Sequence, residues 1–351
     1  MTTKTSIFLT GATGYIGGAV LTRLLTHPRA PNFDITALVR SETKGKVLQE
    51  KFGVRPLVGS LQDADKITAA SENANVVINT ADCDDLPSAE AILAGMKARH
   101  DKTGEVPVLI HTSGTAMLID DARGAYRSET IYDDMNLEQV KSIPPSALHR
   151  HVDIPIVDAD VAGYVRAYIV APSMIYGAAK NALVDAGVAN PFSIAVPGMV
   201  RVAIKRGRPM VIGEGKSGWP IVHINDTAEF YIQLFDAISA RPDTVGHGEE
   251  GLYFLENGES PWSAVARSIG RAMVATGVVS GPEPEPESLT TSEQMAEVCG
   301  SEFRGRILGS NCRCKARRAR AQVGWKPKFE VDDFNASTEE DFRKVFEAEK
   351  K

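Results

Sequence analysis

A short apolar run, Ser6 to Leu9 within SIFLT, leads directly into Gly11-Ala12-Thr13-Gly14-Tyr15-Ile16-Gly17-Gly18. AVLTRLLTH follows, and its Val20, Leu21, Leu24 and Leu25 fall on one side of a helix. Glycines at 11, 14 and 17 suit a tight turn, close approach of backbone to a pyrophosphate, and close helix-to-strand packing, with the phosphates at the helix N-terminus. A glycine trio alone is weak evidence, because a turn into a helix can need glycine for packing only. Here the strand before it and the helix after it are both in place, so the loop reads as a dinucleotide site.

The rest of the first half repeats the same alternation. Apolar runs at Ile35 to Val39, Arg55 to Val58, Val76 to Asn79, Val108 to His111 and Ala167 to Val170 are separated by helix-like stretches. Such runs of four to six residues, bounded by Gly, Asp or Pro, read as strands buried on both faces, which a parallel sheet covered by helices requires. The expected fold is α/β, a Rossmann-type doubly wound parallel sheet with a smaller C-terminal substrate lobe. The dinucleotide-binding domain is placed at residues 1–177, with sheet elements returning near 219–256, and the lobe mainly at 178–351. In the second part, VHINDTAEFYIQLFDAI has helical apolar spacing after Asp226 as N-cap, and GPEPEPES from Gly281 reads as a surface spacer.

Composition narrows the partners. With 39 Lys and Arg against 45 Asp and Glu the net charge is −6, so no overall basic field exists to hold nucleic acid or a membrane surface. No run of about 18 apolar residues is present to span a membrane, and the N-terminus lacks a signal-peptide pattern, so a cytoplasmic location is expected. Of the four cysteines, Cys312 and Cys314 are too close together and too isolated for a zinc site. Reduced thiols and no metal are expected. The partner expected is a small-molecule substrate.

The G-x-x-G-x-x-G spacing of the loop resembles that of the short-chain dehydrogenase/reductase superfamily, specifically its extended and atypical, epimerase/dehydratase-like branches. The resemblance places Gly11, Thr13, Gly14, Tyr15, Ile16 and Gly17 around the cofactor. It matches Ser60 and Leu61 within LVGSLQD to a segment that packs on adenine, and Asn79-Thr80-Ala81 to the nicotinamide ribose. Ala171-Pro172-Ser173-Met174-Ile175-Tyr176-Gly177 resembles the segment flanking the nicotinamide, which brings in Pro172 and Ser173, with Thr112 beside them. Val222 to Asp226 and Val323-Gly324-Trp325-Lys326-Pro327 resemble further segments of extended members. Relatives also dimerise through two helices of the Rossmann unit, which makes a homodimer an expectation here.

The cofactor expected is NADP(H) in preference to NAD(H). FDITALV ends at Arg40, with Lys44 shortly after, and no carboxylate stands there for the ribose hydroxyls; Asp34 lies at the other end of the strand. A guanidinium fork and an ammonium suit a 2′-phosphate.

The catalytic residues are harder to place. Relatives use a serine or threonine, a tyrosine, and a lysine four residues later, and this chain is expected to lack that Tyr-x-x-x-Lys pair. His111-Thr112-Ser113-Gly114-Thr115 resembles the relatives' serine-rich strand end, but Gly114 falls at the usual hydroxyl, leaving Ser113 and Thr115 as candidates. Near 145–155, where the pair belongs, stand His149 and Asp153, which would share a face on a continuous helix. A histidine oriented by a carboxylate is a competent general acid near neutral pH. The competing reading is structural, with Asp153 capping a helix that has Pro155 in its first turn. Tyr164, Tyr168 and Tyr176 are alternative acids, and the basic run Arg313 to Arg320 reads as a solvated helix.

Three functions fit. The first is an NADPH-dependent oxidoreductase acting on a small carbonyl or activated double bond with an atypical proton donor. The others are a non-catalytic dinucleotide-binding redox sensor and an epimerase or dehydratase of nucleotide sugars.

Overall fold

A computed structural model of the chain describes residues 4–349. Seven strands form one parallel sheet: β1 (Thr5–Thr10), β2 (Phe33–Val39), β3 (Arg55–Val58), β4 (Val76–Asn79), β5 (Val108–Thr112), β6 (Arg166–Pro172) and β7 (Leu252–Leu255). Their order is β7-β6-β5-β4-β1-β2-β3. Every residue of β4 and β7 is buried, which is why these runs are largely apolar instead of alternating.

Helix α1 (Tyr15–Leu25) packs beside α6 (Ile224–Ala240). Helices α3 (Ala64–Glu72), α4 (Leu86–Thr103) and α5 (Arg150–Val161) pack in turn against one another, while α2 (Glu42–Phe52) returns the chain from β2 to β3. Right-handed crossovers put the α1 and α3 sets on opposite faces, because the strand order reverses between β1 and β4. That reversal opens a crevice at the carboxyl ends of those strands. The chain has the expected Rossmann-type α/β fold.

Beyond β6 the chain builds a second apolar cluster, centred on Tyr176, Val200, Trp262, Met273, Phe334 and Phe342. Its strands are short: Met174–Tyr176 pairs in parallel with Gly218–His223, and Met210–Ile212 with Glu287–Leu289. The proline-glutamate spacer is therefore not all loop, since Glu287–Leu289 within and after it is a strand.

The junction between the two clusters corrects one expectation. Helix α6 starts at Ile224 and is capped by His223, whose Nδ1 accepts from the N–H of Asn225 at 3.1 Å. Asp226 sits in the first turn instead, where its Oδ2 accepts from the N–H groups of Lys328 and Phe329 at 2.9 and 3.0 Å. Trp325 donates its Nε1–H to the Asp226 carbonyl at 2.9 Å. The two segments that resemble extended family members thus tie the C-terminal chain to α6.

The basic run is not a solvated helix. Cys314–Lys315 is a short strand paired with Tyr132–Asp133. Arg318 is 3% exposed and donates to the Asp134 carbonyl, while Arg313 and Arg320 pair with Glu259 and Glu256. Paired partners, invisible in a charge count, consume these cations. Among the described residues no helix is long and apolar enough to cross a membrane.

Candidate active site

The crevice at the strand reversal is a cleft of about 660 Å³. Gly11, Thr13 and Gly14 line it from the loop after β1, Arg40 from the end of β2, Lys44 from the first turn of α2, Ser60 and Leu61 from the end of β3, and Thr80 and Ala81 from the end of β4. Sequence reasoning did not single out Gln62, Asp82, Asp85 or Asn190, which also line it.

The glycines are needed for space and conformation. Gly11 has φ 72°, and a Cβ there would lie 2.5 Å from the Thr80 carbonyl oxygen. A Cβ on Gly17 would lie 2.2 Å from the Gly11 carbonyl oxygen and 2.4 Å from Thr80 Oγ1. The turn, α1 and the end of β4 therefore close on one another only without side chains. The Gly14 N–H donates to Gly11 O at 2.8 Å, and Gly14 enters α1 with no side-chain cap, so the first N–H groups of the helix stay available for an anion. A pyrophosphate fits this cradle. At the β2 end, Arg40 is exposed and has no ion pair among the described residues, and Asp34 is tied to Arg55 at 2.8 Å on the far side.

Other predicted cofactor residues do not line the cleft. Asn79 is buried and turned into the sheet: its Oδ1 accepts from Thr10 Oγ1, and its Nδ2 faces His111 Nδ1 at 3.0 Å. The Thr112 hydroxyl lies 2.6 Å from that of Tyr231. Tyr15 donates to the Gly177 carbonyl, linking the glycine loop to the segment after β6. Ile16, Pro172 and Ser173 do not line the cleft either, and the Ser173 hydroxyl is buried with no partner among the described residues.

Beside the cleft, the loop after β4 meets the start of α5. His149 caps α5 in a left-handed conformation, φ 68°, and its carbonyl accepts from the N–H of Asp153 at 3.0 Å. The helix does not begin at Pro155, which lies within it, so Asp153 is not its cap. Nor do His149 and Asp153 pair. The carboxylate beside His149 is Asp84, with Oδ1 2.8 Å from Nδ1, and Cys83 Sγ lies 3.4 Å from the same nitrogen. The Nε2 edge faces Gly114 at the end of β5, where an added Cβ would stand 3.1 Å from it. Burial and the neighbouring Asp84 and Asp82 push the Cys83 thiol up to about 12.

Asp153 is fully buried behind this pair. Its Oδ2 accepts from Ser113 Oγ at 3.0 Å, and Oδ1 lies 3.8 Å from His111 Nε2. Burial raises its carboxyl to about 7, opposed by Arg150 and Ser113, and burial lowers His111 to about 3. The Thr115 hydroxyl is buried without a partner among the described residues.

The tyrosines lie elsewhere. Tyr164 lines a groove between α4 and α5, Tyr168 is buried within β6, and Tyr176 donates to Glu330 O at 2.9 Å. The expected lack of any Tyr-x-x-x-Lys needs correcting as a matter of spelling, since Tyr176 and Lys180 have that spacing. In the fold they diverge, with Tyr176 in the second apolar cluster and Lys180 at the surface, 3.4 Å from Glu340.

Residues 11–131 match a family model described as NAD(P)H-binding. The chain is 32% identical over 336 residues, 92% of each protein, to the oxidase ucsJ of an Acremonium species. Among solved structures it resembles the UDP-glucose 4-epimerase of Thermotoga maritima, at TM-score 0.64 and 14% identity, over 97% of this chain and 99% of that one. It also resembles the dTDP-glucose 4,6-dehydratase of Bacillus anthracis in complex with NAD, at TM-score 0.63 and 15% identity, over 97% of each chain.

Proposed function

The chain belongs to one NAD(P)H-binding family with the oxidase ucsJ, and from that premise we propose that it is an NADPH-dependent oxidoreductase of the extended, epimerase/dehydratase-like short-chain dehydrogenase/reductase kind, with His149 as its proton-handling group. The substrate class is a small carbonyl or activated double bond. One observation carries the reading: His149 is held at Nδ1 by Asp84, 2.8 Å away, while Nε2 faces the end of β5 beside the cleft.

When bound, the cofactor supplies or takes a hydride. The protein's part is to manage the matching proton. With Nδ1–H donated to Asp84, the imidazolium form of His149 gives its Nε2 proton to a developing alkoxide, and the neutral form takes one in the reverse direction. Asp84 orients the ring, the part first assigned to Asp153. Asp153 instead positions Ser113. Thr115, whose hydroxyl has no partner among the described residues, orients the substrate oxygen. Arg40 and Lys44 hold the 2′-phosphate, and residues 178–349 supply most of the substrate lobe. The relative named an oxidase supports redox work over sugar epimerisation.

The test is fluorescence titration with NADPH and NADH, followed by a carbonyl panel read at the nicotinamide absorbance. Loss of about 10²–10⁴-fold in turnover in His149→Phe, with NADPH binding retained, is the expected result. Binding without any turnover would point to a sensor, and no binding would remove the premise.

A further inference from the structure

Cys83, Asp84 and His149 come from two loops more than sixty residues apart, yet their donor atoms form a compact set. His149 Nδ1 is 2.8 Å from Asp84 Oδ1 and 3.4 Å from Cys83 Sγ, Cys83 Sγ is 3.9 Å from Asp84 Oδ2, and all three groups offer ligand atoms within 4.8 Å of one another. A tetrahedral zinc ion with bonds of about 2.0–2.3 Å sets its ligands roughly 3.3–3.7 Å apart, so this triangle needs only small side-chain adjustments. We propose that these three residues bind a divalent cation of the zinc class, and that the bound cation switches off proton transfer by His149. The switch rests on the reading of His149 given above; the binding site does not.

Three further features favour a cation. Thiol, imidazole and carboxylate together select zinc or cobalt over magnesium or calcium. His149 is one of two non-glycine residues with positive φ among those described, and this costly conformation aims its ring at Cys83 and Asp84. The loop itself is braced: Asp84 N–H donates to Asp82 Oδ1 at 3.0 Å, and His151 Nε2 lies 3.0 Å from the Asp84 carbonyl oxygen. Three protein ligands leave a fourth position for water or substrate.

Coordination takes the Nδ1 lone pair, so the remaining ring proton sits on Nε2 and the imidazolium cannot form. The Cys83 thiol gives up its proton to solvent as the sulfur–metal bond forms. Each cation bound to the neutral site therefore releases one proton, and no electron moves.

The experiment uses the full chain, freed of metal by chelation and titrated with cobalt(II). One equivalent is expected to give the thiolate-to-cobalt charge-transfer absorption and the visible bands of a tetrahedral site, and zinc should displace it. Cys83→Ser and His149→Gln should weaken cobalt binding by about 100-fold or more while still binding NADPH, which controls for folding. Substoichiometric binding, or binding unchanged in both variants, overturns the site. Zinc is expected to inhibit turnover in the wild type and not in Cys83→Ser. If cobalt binds at these residues but zinc leaves turnover unaltered, the switch is overturned, and with it the proton-donor role of His149. If no metal binds while His149→Phe abolishes turnover, the proposal fails and the functional reading stands.

Discussion

At position 149 the backbone favours glycine and the proposed chemistry requires histidine. A left-handed conformation costs an ordinary residue roughly 1–2 kcal/mol, and His149 holds φ 68° while presenting its ring to Asp84 and Gly114. Replacing it by glycine or by alanine removes the same ring, but only alanine keeps the backbone penalty. His149→Gly should therefore be more stable than His149→Ala by about 1 kcal/mol, the reverse of the usual helix order. Urea denaturation reads the difference, and equal stabilities would mean that the left-handed cap is not retained. Arg40 poses a simpler case, being exposed at the cleft without an ion pair among the described residues. A charge-assisted hydrogen bond contributes about 1.5–3 kcal/mol, so Arg40→Ala should weaken NADPH about ten- to a hundredfold. NADH, lacking the phosphate, should change little. Equal loss for both cofactors would place Arg40 elsewhere than on the 2′-phosphate.

Elements, more than single residues, set the titration of the buried groups. Asp153 lies in the first turn of α5 and His111 at the end of β5, so both are enclosed where helix meets sheet. Burial raises Asp153 from 3.8 to about 7. Between those values the folded chain holds a proton that the unfolded chain has released, so stability declines as pH rises through that window. His111, lowered from 6.5 to about 3, works in the other direction: the unfolded chain binds the proton, and stability is lost as pH falls below about 6.5. Asp153→Asn keeps an acceptor for Ser113 and removes the first effect alone. Relative to wild type its stability should rise between pH 5 and pH 7.5, with a slope of at most about 1.4 kcal/mol per pH unit. A difference that stays flat would show Asp153 titrating as an ordinary carboxylate.

The same scale shows what was legible beforehand. The sheet strands were readable because burial on both faces writes a continuous apolar run, and the glycine loop because turn, helix start and phosphate cradle are local. The Asp84–His149 pair was not readable, since 65 positions separate its members and no local pattern marks a left-handed histidine cap. Asp153 misled because i to i+4 spacing implies a shared face only inside a helix, and His149 stands just outside one. The basic run misled because its partners Glu256, Glu259 and Asp134 come from distant segments.

Across the whole molecule, the cleft sits over the first apolar cluster and borders the chain that runs on to the second. Its floor is made by the ends of β1 to β4, and Asn190, from the segment leading into the second cluster, lines its wall. That segment is fastened to the glycine loop: the Asn190 N–H donates to Thr13 O at 3.0 Å, and a Cβ on Gly18 would lie 2.5 Å from Ala189 Cβ. Tyr15 adds its bond to Gly177. A ligand that contacts both sides stabilises both, by about 2.7 kcal/mol at a hundredfold excess over Kd. For a chain of this size that should raise the unfolding temperature by about 4 °C. Calorimetry should then show NADPH moving a single transition upward, with NADH moving it less at equal concentration because Arg40 and Lys44 find no 2′-phosphate. Bulk introduced at Gly18 should reduce the shift by pushing Ala189 and Asn190 from the wall. Two transitions, with only the lower-residue half responding to NADPH, would mean that residues beyond 178 fold independently of the cofactor and that the wall at Asn190 is not coupled to it.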